Sequence, residues 1–292
     1  MIGRSRSRRE TLERAARGLA RRGLETPRLD AELLLAHALR TDRVGLLRDA
    51  EVPIPAEGRR AFLRLLRARR RHVPVAYLTR RRDFHELTLE VGPGVLIPRP
   101  ETELLVEAAI ERLATGTGTA WVLDLGTGSG NIALAVARRV ERARVVALDL
   151  SAEALFWCRR NLEACELRDR VHLVRADLVC GARLLAPGKF DLVISNPPYV
   201  GGPRDALPAE LSHEPELALI GRDGPFPRIY QAIVEVAREL LRPRGALLVE
   251  VGQGQAETVR RLMESAGCFS GVRTRRDLAS IERVVEGWGM TR

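Results

Sequence analysis

Val122-Leu123-Asp124-Leu125-Gly126-Thr127-Gly128-Ser129-Gly130 reads as an apolar strand that ends in glycines immediately before a helix starting at about Asn131. Glycine lets the backbone turn sharply and lets a ligand come close, and an open helix N-terminus offers N–H donors without intrahelical partners. A nucleotide-like cofactor is therefore expected against Gly126, Thr127, Gly128, Ser129 and Gly130. Dinucleotide-binding loops space their glycines as GxGxxG. Here they run GxGxG, which favours S-adenosylmethionine.

Outward from this loop, apolar strands and helical runs alternate. Candidate strands are Trp121–Leu125, Val145–Asp149, Val171–Ala176, Leu192–Ser195 and Ala246–Val251, with helices over Leu104–Leu113, Ile132–Arg139, Ala152–Cys165 and Val259–Ala266. Two further strand-like stretches, Val272–Asp277 and Ile281–Glu286, are expected to close the sheet with antiparallel strands. Strand, helix, strand repetition means a mainly parallel sheet covered on both faces. Asp149 ends the second strand, where a carboxylate accepts both hydroxyls of a ribose, and Ser151 is available to cap the next helix in its place. Asp177 follows the third strand, where it is expected to accept from an adenine amino group while Leu178 covers the ring.

After the fourth strand comes Asn196-Pro197-Pro198-Tyr199. An amide nitrogen is a poor nucleophile because its lone pair is delocalised into the carbonyl, so a site that alkylates one must position it. The Asn196 side-chain oxygen and the Pro197 carbonyl can both accept from one NH2 group and aim its nitrogen at a sulfonium methyl. Two prolines of fixed φ, Pro197 and Pro198, keep those acceptors rigid, and Tyr199 can pack on a flat acceptor group. The surplus proton can leave after transfer, so no strong base is needed first. These residues imply methyl transfer to a planar amide or amino nitrogen.

The region before Glu101 differs in kind. From Thr11 to about Arg71 the pattern is helical, with apolar positions at Leu29, Leu33, Leu34, Ala36 and Ala38 and again at Phe62, Leu63, Leu65 and Leu66. Pro27, Pro53 and Pro55 mark helix starts. Alternating Phe84, Leu87, Leu89 and Val91, with Gly92-Pro93-Gly94 as a turn, read as a hairpin-like connector. The domains expected are a helical docking domain over 1–73, the connector over 74–100 and the catalytic domain over 101–292. Among 292 residues, 45% are hydrophobic and 29% charged, enough apolar material for a sizeable core. Residues 1–85 carry 22 Arg against 10 acidic residues, a surplus of 12 that exceeds the whole-chain charge of +10. A basic module on a nearly neutral body suggests an acidic or nucleic-acid-containing partner, although Lys189 as the sole lysine shows that arginine is favoured throughout.

Four cysteines without CxxC spacing read as reduced thiols, and five dispersed histidines offer no metal-ligand spacing, so no metal is expected. With no secretory leader pattern and no apolar run of bilayer length, the expected location is the cytoplasm, away from membranes. The fold class expected is α/β: a Rossmann-like class I methyltransferase with a mainly parallel seven-stranded sheet, a small N-terminal helical bundle and a hairpin connector.

With those residues in hand, the chain resembles the bacterial release factor glutamine methyltransferases over nearly its whole length. Pro74-Val75-Ala76-Tyr77-Leu78-Thr79 resembles the start of the family's connector, Leu96-Ile97-Pro98-Arg99-Pro100-Glu101-Thr102-Glu103 its signature before the catalytic domain, and Glu250-Val251-Gly252 with Gln253 and Gln255 its later strand and turn. The resemblance implies cofactor contacts at Gly126 to Gly130, Asp149 and Asn196, and substrate contacts at Asn196 to Tyr199. It implies N5-methylation of the glutamine in the Gly-Gly-Gln motif of peptide chain release factors. The expected state is a monomer that meets nucleic acid only through a ribosome-associated partner. Three places depart from the family pattern. Leu178 stands where an aromatic residue often covers adenine, Arg80 where glycine is common, and Arg222-Asp223-Gly224-Pro225 is an altered Gly-rich loop.

Three other readings compete with this one. A ribosomal-protein glutamine is the nearest, disfavoured by Arg99-Pro100-Glu101-Thr102-Glu103. The exocyclic amine of adenine in nucleic acid is another, because the same Asn-Pro-Pro-Tyr arrangement can orient it. A non-catalytic cofactor-binding adaptor is the third.

Overall fold

A computed structural model describes residues 7–178, 180–182, 185–200, 208–221 and 226–291. The altered loop Arg222 to Pro225 lies outside them. The chain forms two compact units, one of Met1–Arg81 with Pro208–His213 and one of Arg82–Leu207 with Glu214–Arg292.

The first unit is helical: α1 (Arg8–Ala20), α2 (Pro27–Leu39), α3 (Arg43–Arg48), α4 (Ala56–Arg69) and α5 (Val75–Thr79). Ser7 and Glu10 form a reciprocal capping box that starts α1, and Pro27 opens α2 where a missing N–H costs nothing. Leu12, Leu19, Leu34, Leu35, Leu46 and Phe62 make the core. Leu29, Leu33 and Leu63 do not join it and are 38%, 36% and 42% exposed. Because α2 is apolar on most sides, its periodicity does not pick a face. Asp30 and Glu32 lie on the buried side and are paired with arginines, Asp30 with the buried Arg69 and Glu32 with the half-exposed Arg28 and Arg43. Arg80 closes α5 in the left-handed conformation, with φ of 55°, which accounts for a glycine preference there.

The second unit begins with the hairpin β1 (Arg82–Phe84) and β2 (Leu87–Leu89). Its turn is His85-Glu86, between the paired Phe84 and Leu87, and the expected turn at Gly92-Pro93-Gly94 forms beyond β2, where Val95 N donates to the Gly92 carbonyl at 3.4 Å. Gly92 also serves packing: a Cβ there would lie 2.3 Å from the Trp157 ring. The remaining elements are α6 (Glu103–Ala114), β3 (Ala120–Leu125), α7 (Asn131–Arg139), β4 (Ala143–Asp149), α8 (Ala152–Ala164), β5 (Val171–Arg175), β6 (Phe190–Ser195), α9 (Glu216–Leu219), α10 (Arg228–Leu240), β7 (Leu241–Glu250), α11 (Ala256–Ser265), β8 (Gly271–Arg276) and β9 (Glu282–Trp288).

Among the described residues seven strands form one sheet in the order β5-β4-β3-β6-β7-β9-β8. β3 to β7 are parallel, and β9 is antiparallel to both β7 and β8. β8 therefore runs with the parallel set, so one strand is reversed and not the two expected. Alternate side chains feed two cores. Val122, Val145 and Leu192 pack with Leu105, Ile132 and Leu162 from α6, α7 and α8, while Leu123, Val193 and Leu247 pack with Ile233 and Val259 from α10 and α11. Burial on both faces explains why these strands read as continuous apolar runs.

Candidate active site

Gly126, Asp149, Asp177 and Asn196 fall at or just beyond the carboxyl ends of four neighbouring strands, β3, β4, β5 and β6, where parallel sheets bind ligands. An open cleft of about 1080 Å³ runs along this edge. Its lining includes Gly126 to Ser129, Asp149, Asp177, Leu178, Asn196 and Pro198, together with Val95, Leu96, Arg99, Thr102, Pro215 and Leu217. Gly130, Pro197 and Tyr199 are not among the lining residues.

The glycine loop owes its shape to the sheet. Gly126 and Thr127 both donate to the Leu148 carbonyl, at 2.8 and 2.9 Å, which bends the chain over the end of β4. Gly126, Gly128 and Gly130 have φ of 76°, 57° and 84°. Gly128 faces open space, with only Val95 near a hypothetical Cβ at 3.9 Å, so a ligand can lie against its backbone. Gly130 serves helix packing: a Cβ there would be 2.6 Å from Cys158 Sγ, so the glycine lets α7 start hard against α8.

Beneath the loop, Asp124 is fully buried and accepts from Thr127 Oγ1 at 2.6 Å, while its Oδ1 has no partner among the described residues. Burial pushes its carboxyl up to about 7, against the Thr127 hydrogen bond that lowers it. Asp149 is held differently. Oδ2 accepts from Gly128 N at 2.8 Å and Oδ1 from Ser151 N at 2.9 Å, while Ser151 caps α8 by accepting from Ala154 N. Burial raises the Asp149 carboxyl, and those N–H groups pull it back. Each of its oxygens keeps a free lone pair, which suits a pair of ribose hydroxyls.

Asn196 donates its Nδ2 to Thr102 Oγ1 at 3.1 Å, which leaves Oδ1 as its remaining acceptor. Pro197 is buried beside it. Tyr199 is drawn away from the cleft: its hydroxyl donates to Glu250 Oε1 at 3.3 Å, and its carbonyl accepts from Gln255 Nε2 at 3.1 Å. Burial and the Glu250 carboxyl raise the Tyr199 phenol well above its ordinary value. Tyr230 donates to the Glu250 carbonyl at 3.0 Å, and Gly252 to Gln255 Oε1 at 3.1 Å, completing a brace behind the loop.

Four residues with site roles are given none by the sequence, although Thr102 and Glu250 fall within its motif strings. Thr102 and Glu250 belong to that brace. Asn161 on α8 donates to the Ser129 carbonyl at 2.9 Å and accepts from Glu90 N at 2.6 Å, tying the glycine loop to the connector. Glu214, 3% exposed, accepts from Ile97 N at 2.9 Å and from Arg99, and so anchors the stretch that leads to Pro215 and Leu217 on the cleft wall. Each joins residues 32 to 117 apart in sequence, beyond the reach of any spacing rule.

Residues 10–79 match the PrmC N-terminal domain, and residues 100–211 match the methyltransferase small domain. The release factor glutamine methyltransferase of Burkholderia pseudomallei is 42% identical over 265 residues, covering 89% of this chain and 91% of that protein. The chain belongs to the release factor glutamine methyltransferase family. A second member, from Chlorobaculum tepidum, is 40% identical over 281 residues, with 94% of each chain covered. Among solved structures, the T. thermophilus 16S rRNA N2 G1207 methyltransferase, in complex with AdoMet and guanosine, is similar with a TM-score of 0.52 at 26% identity. That match covers 71% of this chain and 49% of the other. The human Mettl16 catalytic domain, at 12% identity and a TM-score of 0.55, shares the fold. Among the described residues of this family member, no helix is long and apolar enough to cross a membrane.

Proposed function

We propose that this chain transfers the methyl group of S-adenosylmethionine to the side-chain N5 of the glutamine in the Gly-Gly-Gln motif of peptide chain release factors. The observation that carries this reading is the Asn196 amide, fixed by Thr102 at the edge of the cleft with Oδ1 left to accept. The residues present fit the donor. Asp149 keeps two lone pairs for ribose hydroxyls, Gly128 allows close backbone approach, and Ser129 Oγ is buried with no partner among the described residues. Asp177 and Leu178 line the part of the cleft assigned to adenine. When bound, S-adenosylmethionine supplies an electrophilic methyl group on a sulfonium.

The chain's own residues supply orientation. Asn196 Oδ1 and the Pro197 carbonyl accept the two hydrogens of the substrate NH2 and hold its nitrogen in line. Pro197 and Pro198 restrict the backbone that carries them. Hydrogen bonds from both N–H groups favour charge build-up on the nitrogen during attack, and its proton leaves after transfer. Tyr199 acts here by fixing the loop, since its hydroxyl is committed to Glu250. In this reading the basic helical unit docks the release factor, and the enzyme works as a cytoplasmic monomer.

The test is peptide mass analysis of a release factor incubated with enzyme and S-adenosylmethionine. The Gly-Gly-Gln peptide is expected to gain one methyl group, and Asn196→Ala to lower kcat by about 10²- to 10³-fold. An unmodified peptide, or labelled methyl found in RNA or DNA instead, would overturn the reading.

A further inference from the structure

Behind the Asn196 to Tyr199 loop lies a carboxyl group that the reaction above does not employ. Glu250 ends β7, is 1% exposed, and keeps Oε2 without a hydrogen-bond partner among the described residues. A buried carboxyl with an unused oxygen is costly, and its surroundings give it a use. The Tyr199 hydroxyl donates to its Oε1 at 3.3 Å, and the Thr102 hydroxyl faces the same carboxyl and helps to hold it down. Thr102, itself 0% exposed, also accepts from Asn196 Nδ2.

A hydroxyl has one hydrogen to give. While Glu250 is ionised it can only accept, so Thr102 donates to it and must receive from Asn196. That order leaves Asn196 Oδ1 toward the cleft. A protonated Glu250 can donate to Thr102, which then donates to Asn196 and turns the amide over. The cleft would then present an NH2 group to a substrate NH2 group, and two donors cannot bond.

We propose that Glu250 is a positioning residue that sets the polarity of the Asn196 amide through the Thr102 hydroxyl, so that Oδ1 meets the acceptor nitrogen. This role rests on the glutamine-methylation reading and names what maintains its geometry. Burial, with Glu101 adding to it, pushes Glu250 up to about 7, while Thr102, Tyr199 and Arg283 hold it down; Tyr230 bonds its carbonyl from α10. As pH falls through that value the relay reverses, and kcat falls on the acid side.

The experiment measures kcat and KM against pH for the full-length enzyme on intact release factor, with calorimetry of S-adenosylmethionine binding as a companion. Glu250→Gln is expected to lower kcat by about 10²-fold, to abolish the acid limb, and to leave donor affinity within about threefold. Thr102→Val should match that loss, Thr102→Ser should recover most of it with the acid limb restored, and the Glu250→Gln/Thr102→Val double variant should lose no more than either single change. Wild-type kcat and an intact acid limb in Glu250→Gln would overturn the role. So would multiplicative losses in the double variant. If Glu250→Gln fails to fold, the Thr102 pair decides: rescue by serine supports the relay, and equal behaviour of serine and valine overturns it. Absence of methylation by the wild-type enzyme overturns the glutamine reading and this role together, whereas wild-type turnover with an insensitive Glu250 overturns the role alone.

Discussion

Asp124 places a carboxyl where water does not reach it, one strand away from Asp149, whose two oxygens are both bonded to backbone N–H groups. The contrast has a measurable consequence. The folded chain holds the Asp124 proton up to about pH 7, against an ordinary value of 3.8. Between those values the folded state binds a proton that the unfolded state has released, so stability from this group is lost as pH rises and is level above the folded value. Urea titrations at about pH 5 and about pH 8 should show this loss in the wild type, and Asp124→Asn should remove about 2–3 kcal/mol of the difference. An unchanged difference would rule out the buried proton. At this scale the glycines, Asp149 and Asn196 were legible because their chemistry follows directly from strand ends. Asn161, Glu214, Thr102 and Glu250 were not, because their partners are brought together only by the finished sheet.

Secondary-structure elements show which local preferences survive packing. The five parallel strands were readable as apolar runs because helices cover both faces of the sheet. The turn at Gly92-Pro93-Gly94 was readable too, whereas the one joining β1 to β2 was not, because it contains no glycine or proline and His85 takes the left-handed conformation itself, with φ of 52°. The direction of β8 was also hidden, since pairing order leaves no mark on strand composition. Two glycine-related positions give expected outcomes. Arg80→Gly should stabilise the protein by about 1 kcal/mol by relieving a left-handed backbone, seen as a higher urea midpoint. Gly130→Ala combines φ of 84° with a Cβ 2.6 Å from Cys158 Sγ, and should cost at least about 2 kcal/mol in the same measurement. Equal midpoints for Gly130→Ala and wild type would show that α7 and α8 can part without penalty.

At the scale of the whole molecule, charge is divided unevenly, and part of the arginine surplus in the first 85 residues serves the interior of the helical unit. Arg69, 3% exposed, bonds Asp30 at 2.8 Å and also pairs with Glu210. Arg69→Leu strands the buried Asp30 carboxylate and should destabilise the protein by about 3–5 kcal/mol. Asp30→Asn in the same background should recover part of that loss, read by far-ultraviolet circular dichroism in urea. No recovery would assign the loss to packing. Composition alone pointed to a basic partner-facing surface and gave no hint that some of that charge is structural.

Glu210 also bears on how this protein can be taken apart. Residues 208–213 belong with the helical unit although they lie more than a hundred positions further along the chain. The helical unit is thus not a removable prefix, and a graft that exchanged it between family members would need three junctions, after Arg81 and on either side of residues 208–213, with the segment carrying Glu210 and the helix carrying Arg69 inherited from the same parent.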